Sequence, residues 1–423
     1  MAVHGRPDRT PGDRPSGRNE QPGRRRALAL SLALVAGGST GCAPDSRASA
    51  HTVDSVQETL NARAAALLNR DEQGYLAVLA GEQTELRAAE RKVFRNLAHV
   101  PIGSWAYRLG AVRRDGPKVY AEAELNYRVR GYDTAPVVVP RRLELGLRDS
   151  RWFLTADRPG DGAAEQLWQQ GAVTVVRGRS SLVLAVGRPV DRLRALADAV
   201  DRTVPAVSRA WRGPWPGRVV IMVPGSLEAM GGLLGTPPAV YQGIAAVTTG
   251  ETGTSAAVPA DRVIVNPVAY DSLGDIGRSV VLAHETTHVA TRSATSAATP
   301  MWLSEGFADW VAYRDTPRTT GQNAPELHRS VQQGELPATL PADHDFSFGG
   351  DQATLSRAYE GGWLACELIA ARWGEETLVR FYRQIGAGRE RTAAVTKAMH
   401  QLLGIGPEEF TARWRGYLRD RLA

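Results

Sequence analysis

The sequence predicts an α+β protein built in two parts, and three observations carry that expectation. Residues 53–100 hold apolar residues at helical spacing, and alternating strand-like runs follow them up to about residue 158. From residue 166, short and nearly continuous apolar runs alternate with helical pattern, which predicts a mixed sheet. From Thr354 onward the chain reads as helices alone, over 355–373, 375–386, 390–403 and 407–420, with breaks at Gly374, Gly386 and Gly406.

The chain has 423 residues, more than one small domain needs, and a globular composition of 43% hydrophobic and 23% charged residues. Its formal charge is +6, but residues 1–41 hold seven arginines against three acidic residues, a net of +4 that leaves +2 for the rest. The remainder shows no Arg/Lys stripe interleaved with aromatics, so no nucleic acid is expected as partner.

Residues 1–23 are polar and rich in Arg, Gly and Pro. Arg24 to Arg26 then precede a short apolar run over 27–36, and small residues over 37–41 lead to Cys42. A basic start and an apolar core too short to span a bilayer describe a secretion signal. The segment resembles the bacterial lipoprotein signal, although Ser39 stands where that signal usually has an aliphatic residue. The resemblance implies a signal over 1–41, lipidation of Cys42 and a membrane anchor outside the cytoplasm, with plain secretion as the alternative. Residues 42–52 then form a linker. The other cysteine, Cys366, lies in an apolar helical pattern and reads as a buried small apolar residue.

In the first part, Val56, Leu60, Ala64, Leu67 and Leu68 recur on one helical side, and 76–97 continues in kind. Strands are expected over 120–129 and 137–147, with Trp152, Phe153 and Leu154 in a last one. Helices followed by a meander give an accessory domain over 53–158. In element order and texture it resembles the cone-shaped NTF2-like modules of secreted bacterial proteins. His99 and Glu122 have no constellation around them and read as structural or solvated. Residues 157–164 are turn-rich and are the expected linker.

In the second part, strands are expected over 172–177 and 181–186, a helix over 191–204 closed by Pro205, and a strand over 218–223. The Gly/Pro-rich loop over 231–238 lacks the Lys and the spacing of a phosphate loop. Strands over 244–249 and 262–266 flank the loop 250–260.

A helix over 275–290, with Asp271 or Ser272 capping its approach, carries His284, Glu285 and His288 in the pattern H-E-x-x-H. Imidazoles four apart on a helix share one face and can share one zinc ion, with Glu285 beside them to take a proton from activated water. Glu305 follows seventeen positions after His288 (305 − 288), in a segment that Pro300 can start as a second helix. An antiparallel return would bring Glu305 against both histidines. Two imidazoles and one carboxylate leave a tetrahedral ion an open position, whereas a structural zinc usually takes a fourth Cys or His. Gly306 and Ala308 suit close helix approach, and Asp309, one turn on, can accept the other ring N–H of His284. Trp302, Phe307 and Trp310 read as core.

The H-E-x-x-H run together with Trp302-Leu-Ser-Glu305-Gly-Phe-Ala308 resembles the gluzincin metallopeptidases, the clan of thermolysin and aminopeptidase N. Ser304 replaces the usual Asn of W-L-N-E-G-F-A. The resemblance implies a thermolysin-like zincin domain over 166–420, with a mixed sheet and a helical C-terminal part. It implies His284, His288 and Glu305 as ligands of one Zn2+, and Glu285 as general base. Tyr359-Glu360-Gly-Gly362 resembles the downstream Y-E-x-G segment, which implies that Tyr359 donates its hydroxyl to the tetrahedral intermediate. The upstream G-x-M-E-N strand of aminopeptidases, which grips a free amino terminus, has no equivalent in 243–250; Glu251 lies just beyond. The strand can still offer an edge to an extended peptide. These features fit the smaller peptidase-MA-like families and a peptide or protein substrate of unassigned cleavage position. The alternatives are a non-catalytic zinc-binding lipoprotein and a zinc hydrolase of other amides or esters. His328, His344 and His400 read as ordinary histidines, and Glu360 as structural or solvated.

Overall fold

The computed structural model describes residues 46–250, 258–348 and 350–423; the signal segment, Cys42 and Glu251 lie outside the described residues. Its first part opens with three helices, α1 (Ser46–Leu68), α2 (Glu72–Ala77) and α3 (Thr84–Asn96). Four strands follow, β1 (Ile102–Asp115), β2 (Lys118–Val129), β3 (Val137–Arg148) and β4 (Arg151–Pro159), joined as an antiparallel meander in that order. Alternation fixes the register: Val119, Ala121, Ala123, Leu125, Tyr127 and Val129 of β2 are all buried. A slip of one residue would turn that whole face to water.

Strand β4 runs through Asp157 and Arg158, which the sequence assigns to a linker. Asp157 is held there by buried charge: its carboxylate takes Arg63 Nη1 at 2.8 Å and Arg141 Nε at 2.7 Å. Arg63 also reaches Glu90 at 2.5 Å and the Tyr75 hydroxyl at 3.0 Å. A buried guanidinium is tolerated only when its charge is paired in this way.

Helix α4 (Leu167–Gln170) carries Trp168 against Tyr127 and Trp105, with ring centroids 4.9 and 5.8 Å away. The core of the first sheet therefore continues into the second. That sheet contains β5 (Val173–Arg177), β6 (Ser181–Val186), β7 (Val219–Val223), β8 (Ala246–Thr249) and β9 (Arg262–Val265), in the order β5-β6-β7-β9-β8. The inner strands β6, β7 and β9 are parallel, and β5 and β8 are antiparallel edges. Leu182, Leu184, Val220 and Ile264 face the first part. Val183, Ala185, Ile221, Val263 and Val265 face α5 (Val190–Trp211) and the later helix α8. Burial on both faces explains the continuous apolar runs.

Pro205 does not end α5, which extends to Trp211. A helix-interior proline costs about 3 kcal/mol, but the buried stripe continues through Val207, Ala210 and Trp211. Trp211 is wedged between Phe307 and Tyr382, at 5.7 and 5.5 Å, and this apolar anchor holds the last turn in place.

After α6 (Leu227–Leu234) and α7 (Pro267–Asp271) comes α8 (Asp275–Thr291). Its N-cap is Gly274, without a side-chain bond; Asp271 closes α7 instead and pairs with Arg188 at 2.9 Å. The remainder is helical: α9 (Met301–Tyr313), α10 (Thr320–Asn323), α11 (Pro325–Gln332), α12 (Gln352–Trp373), α13 (Glu375–Gly386), α14 (Arg391–Ala398) and α15 (Pro407–Leu422). After α14 one π turn over Met399–Leu403 completes the segment that the sequence assigns to a single helix. Glu360 of α12 accepts the Glu326 and Leu327 N–H groups at the start of α11, so its role is structural. Among the described residues no helix is long and apolar enough to cross a membrane.

Helices α9 and α12 meet backbone to backbone. A Cβ on Gly306 would overlap the Gly362 carbonyl, and one on Gly362 would lie 2.7 Å from the Trp302 carbonyl oxygen. Gly306→Ala is expected to lower stability by about 1–3 kcal/mol, the range for overpacking. Gly416→Ala, on α15 with nothing within 4 Å of the added Cβ, is the control, and is expected to be neutral or to stabilise by about 0.5–1 kcal/mol. Thermal unfolding of the two variants checks both outcomes.

Candidate metal centre

Helix α8 is buried on several sides. Val281 and Leu282 pack with α5 and the second sheet, while His284, Glu285 and Thr287 are also enclosed. Helix α9 packs beside it and presents Glu305 and Asp309 one turn apart. The helical spacings alone place His284 with His288, and Glu305 with Asp309, on matching faces.

Three atoms converge between the helices. His284 Nε2 and His288 Nε2 are 3.0 Å apart. Glu305 Oε2 lies 3.2 Å from the first and 3.3 Å from the second. An ion held tetrahedrally at about 2.0–2.2 Å requires ligand atoms roughly 3.3–3.5 Å apart. The triangle needs to widen by no more than a few tenths of an ångström to meet that demand, so His284, His288 and Glu305 can hold a divalent metal ion.

The surrounding charge fits a cation as well. Burial alone would push the His284 imidazolium down, but the carboxylates of Asp309, Glu305 and Glu285 outweigh it and raise its pKa to about 10. Burial raises the Glu305 carboxyl, yet His288 and His284 hold it well below the usual carboxylate range. Asp309 Oδ1 accepts the Nδ1–H of His284 at 2.8 Å, and only 2% of Asp309 is exposed. That bond fixes the tautomer and turns the Nε2 lone pair into the site.

Glu285 is buried beside this triangle and is met from the edge strand β8. Thr248 Oγ1 donates to Glu285 Oε2 at 2.6 Å and lies 3.2 Å from the Glu285 carbonyl oxygen. No local pattern marks Thr248, because the pairing of β8 with β9 is what brings it here.

Tyr359 of α12 stands on the other side, its ring centroid 6.1 Å from that of His284. Burial, then the nearby carboxylates of Glu305, Asp309 and Glu285, push the pKa of its hydroxyl well above the usual value. The hydroxyl therefore keeps its proton and can donate. Phe346 packs edge-on against it at 5.2 Å and walls the site. Asp343, in the same loop, accepts the Met301 N–H at the start of α9 at 2.9 Å, a capping contact across 42 residues that no local pattern signals.

Among the described residues the other histidines do not join the cluster. His344 is exposed beside Asp345, at 3.3 Å, and His99 and His400 are exposed. Trp302, Phe307 and Trp310 are core residues, and Cys366 is buried against α9 with its sulfur 3.9 Å from the Leu303 carbonyl oxygen.

No family model and no curated protein matches this chain. Among solved structures, it is similar to a mutant M1 zinc metallopeptidase from Deinococcus radiodurans bound to a Tyr-Ser-Ala substrate, at 16% identity and a TM-score of 0.32. That match covers 66% of this chain and 59% of the other, so the chain spans less than two thirds of that enzyme's length. A two-domain M1 zinc metallopeptidase mutant bound to L-tryptophan matches at 16% identity and a TM-score of 0.34, over 76% and 62% of the two chains. Another, bound to L-arginine, matches at 11% and 0.34, over 75% and 92%. At these scores the chemistry of the site rests on its own geometry.

Asp309→Asn removes the charge behind His284 and is expected to weaken divalent-ion affinity by about 10–100-fold. Competition with a chromogenic chelator measures it.

Proposed function

We propose that the chain is a zinc metallopeptidase that hydrolyses peptide bonds. One observation carries the reading: a three-atom donor triangle of two imidazoles and one carboxylate has a second buried carboxylate, Glu285, next to it on the same helix. Zinc is the ion of choice for two imidazoles, one carboxylate and an open position. Bound there, it would supply Lewis acidity toward a substrate carbonyl and lower the pKa of water.

The chain's own residues supply the rest. His284, His288 and Glu305 bind the ion, and Asp309 holds the His284 ring in its binding tautomer. Glu285 takes a proton from the attacking water and passes it to the leaving amine. The Thr248 hydroxyl fixes the carboxylate plane for that transfer. Tyr359 keeps its O–H and donates it to the developing oxyanion, its ring held edge-on by Phe346. The free edge of β8 can pair with an extended peptide backbone.

The same proposal puts the protein outside the cytoplasm, tethered to the membrane through a lipid on Cys42. It takes the four-stranded first part as an NTF2-like accessory module.

Glu285→Gln is expected to keep one zinc per chain and lose about 10²–10⁴ in peptide turnover. A peptide-library cleavage assay with metal analysis reads both. Turnover retained by the variant overturns the mechanism, and hydrolysis of esters without peptides transfers the same residues to the ester reading.

A further inference from the structure

We propose that Arg292 recognises a carboxylate on the substrate, so that the cleft selects peptides with a negative charge where strand β8 ends. The inference rests on the peptidase reading and names the substrate class for that same site.

Arg292 directly follows α8 and keeps helical dihedrals, φ −46° and ψ −49°. It is four residues after His288 and eight after His284, so it continues their face by one more turn. Its Nε donates to Asp261 Oδ2 at 2.8 Å. The Asp261 side chain is 4% exposed and that of Arg292 19%, so the pair is sheltered while the Arg292 side chain keeps some exposed surface.

A bond at Nε leaves both Nη groups, which have no hydrogen-bond partner among the described residues. The guanidinium is thus oriented from behind, with a planar fork of donors facing away. That fork matches the two oxygens of a carboxylate.

Gly250 places this fork at the end of the edge strand. A Cβ there would overlap Asp261 Oδ1 and lie 3.0 Å from Arg292 Nε. The backbone leaving β8 therefore runs directly against the pair. A peptide laid along β8 would meet the guanidinium as it passes the metal-binding face of α8. The donor chemistry decides the class: the Nη groups can hydrogen-bond a carboxylate, whereas a protonated amino terminus offers them no acceptor. This agrees with a strand over 243–250 that contains no glutamate to hold an amine.

The carboxylate has two possible sources, the peptide's C-terminus or an Asp or Glu side chain. The test uses the full zinc-loaded chain carrying Glu285→Gln, so that binding is read without turnover. Peptides of one sequence are compared as C-terminal acid or amide, and with Glu or Gln at successive internal positions. Dissociation constants come from calorimetry, with zinc content and circular dichroism recorded for every variant.

Adding Arg292→Gln is expected to weaken the preferred acidic peptide about tenfold or more, and to shift its neutral counterpart less than twofold. Arg292→Lys keeps the charge without the fork and is expected to fall between the two. The acid/amide and Glu/Gln arms identify which carboxylate is read. Equal weakening of charged and neutral peptides, or equal binding of both before Arg292 is changed, overturns the role of Arg292 and leaves the peptidase reading standing. Absence of binding by any peptide overturns both.

Discussion

The crossing of α9 and α12 at Gly306 and Gly362 is the constraint on which the site depends. With no side chain at either glycine, the two backbones touch, which brings Glu305 on one helix and Tyr359 on the other to the same site beside His284. The aromatic core closes around that contact, with Trp302 against Phe381 and Phe410, and Phe307 against Trp211 and Tyr382. A separation of even one methyl group between these helices would be transmitted to the carboxylate, because a packed interior does not absorb it.

Electrostatics then gives the packed helices their purpose. Glu285, Glu305 and Asp309 are three buried carboxylates around two imidazoles. Burying that much negative charge is costly unless a cation compensates it. The same carboxylates hold the proton on His284, raising its pKa. Asp309 behind His284 and Thr248 behind Glu285 fix the two side chains whose orientation matters most. One support comes from a helix and one from a sheet edge, so the site sits at the junction of both layers.

What the sequence made legible was local. The His284–His288 spacing follows from one helical turn, and Glu305 with Asp309 from the next helix; the structure brings all four together. Tyr359 was reached through a family resemblance and lies beside His284. The mixed α+β character and the helical end of the chain were also legible, since each depends on short-range periodicity. Long-range partners were not. Asp157 looked like a turn residue because nothing near it in sequence announces Arg63 and Arg141. Pro205 looked like a helix end because the buried partners of Trp211 are about a hundred or more residues away. Thr248 and Asp261 depend on which strands pair at the sheet edge, information no single segment contains.

The central claim is that one zinc ion binds at this triangle. Anomalous diffraction at the zinc absorption edge on crystals of the zinc-loaded chain tests it directly. The account predicts one strong peak at about 2.0–2.2 Å from His284 Nε2, His288 Nε2 and Glu305 Oε2. A triangle without a peak, or zinc bound by other residues, would contradict it.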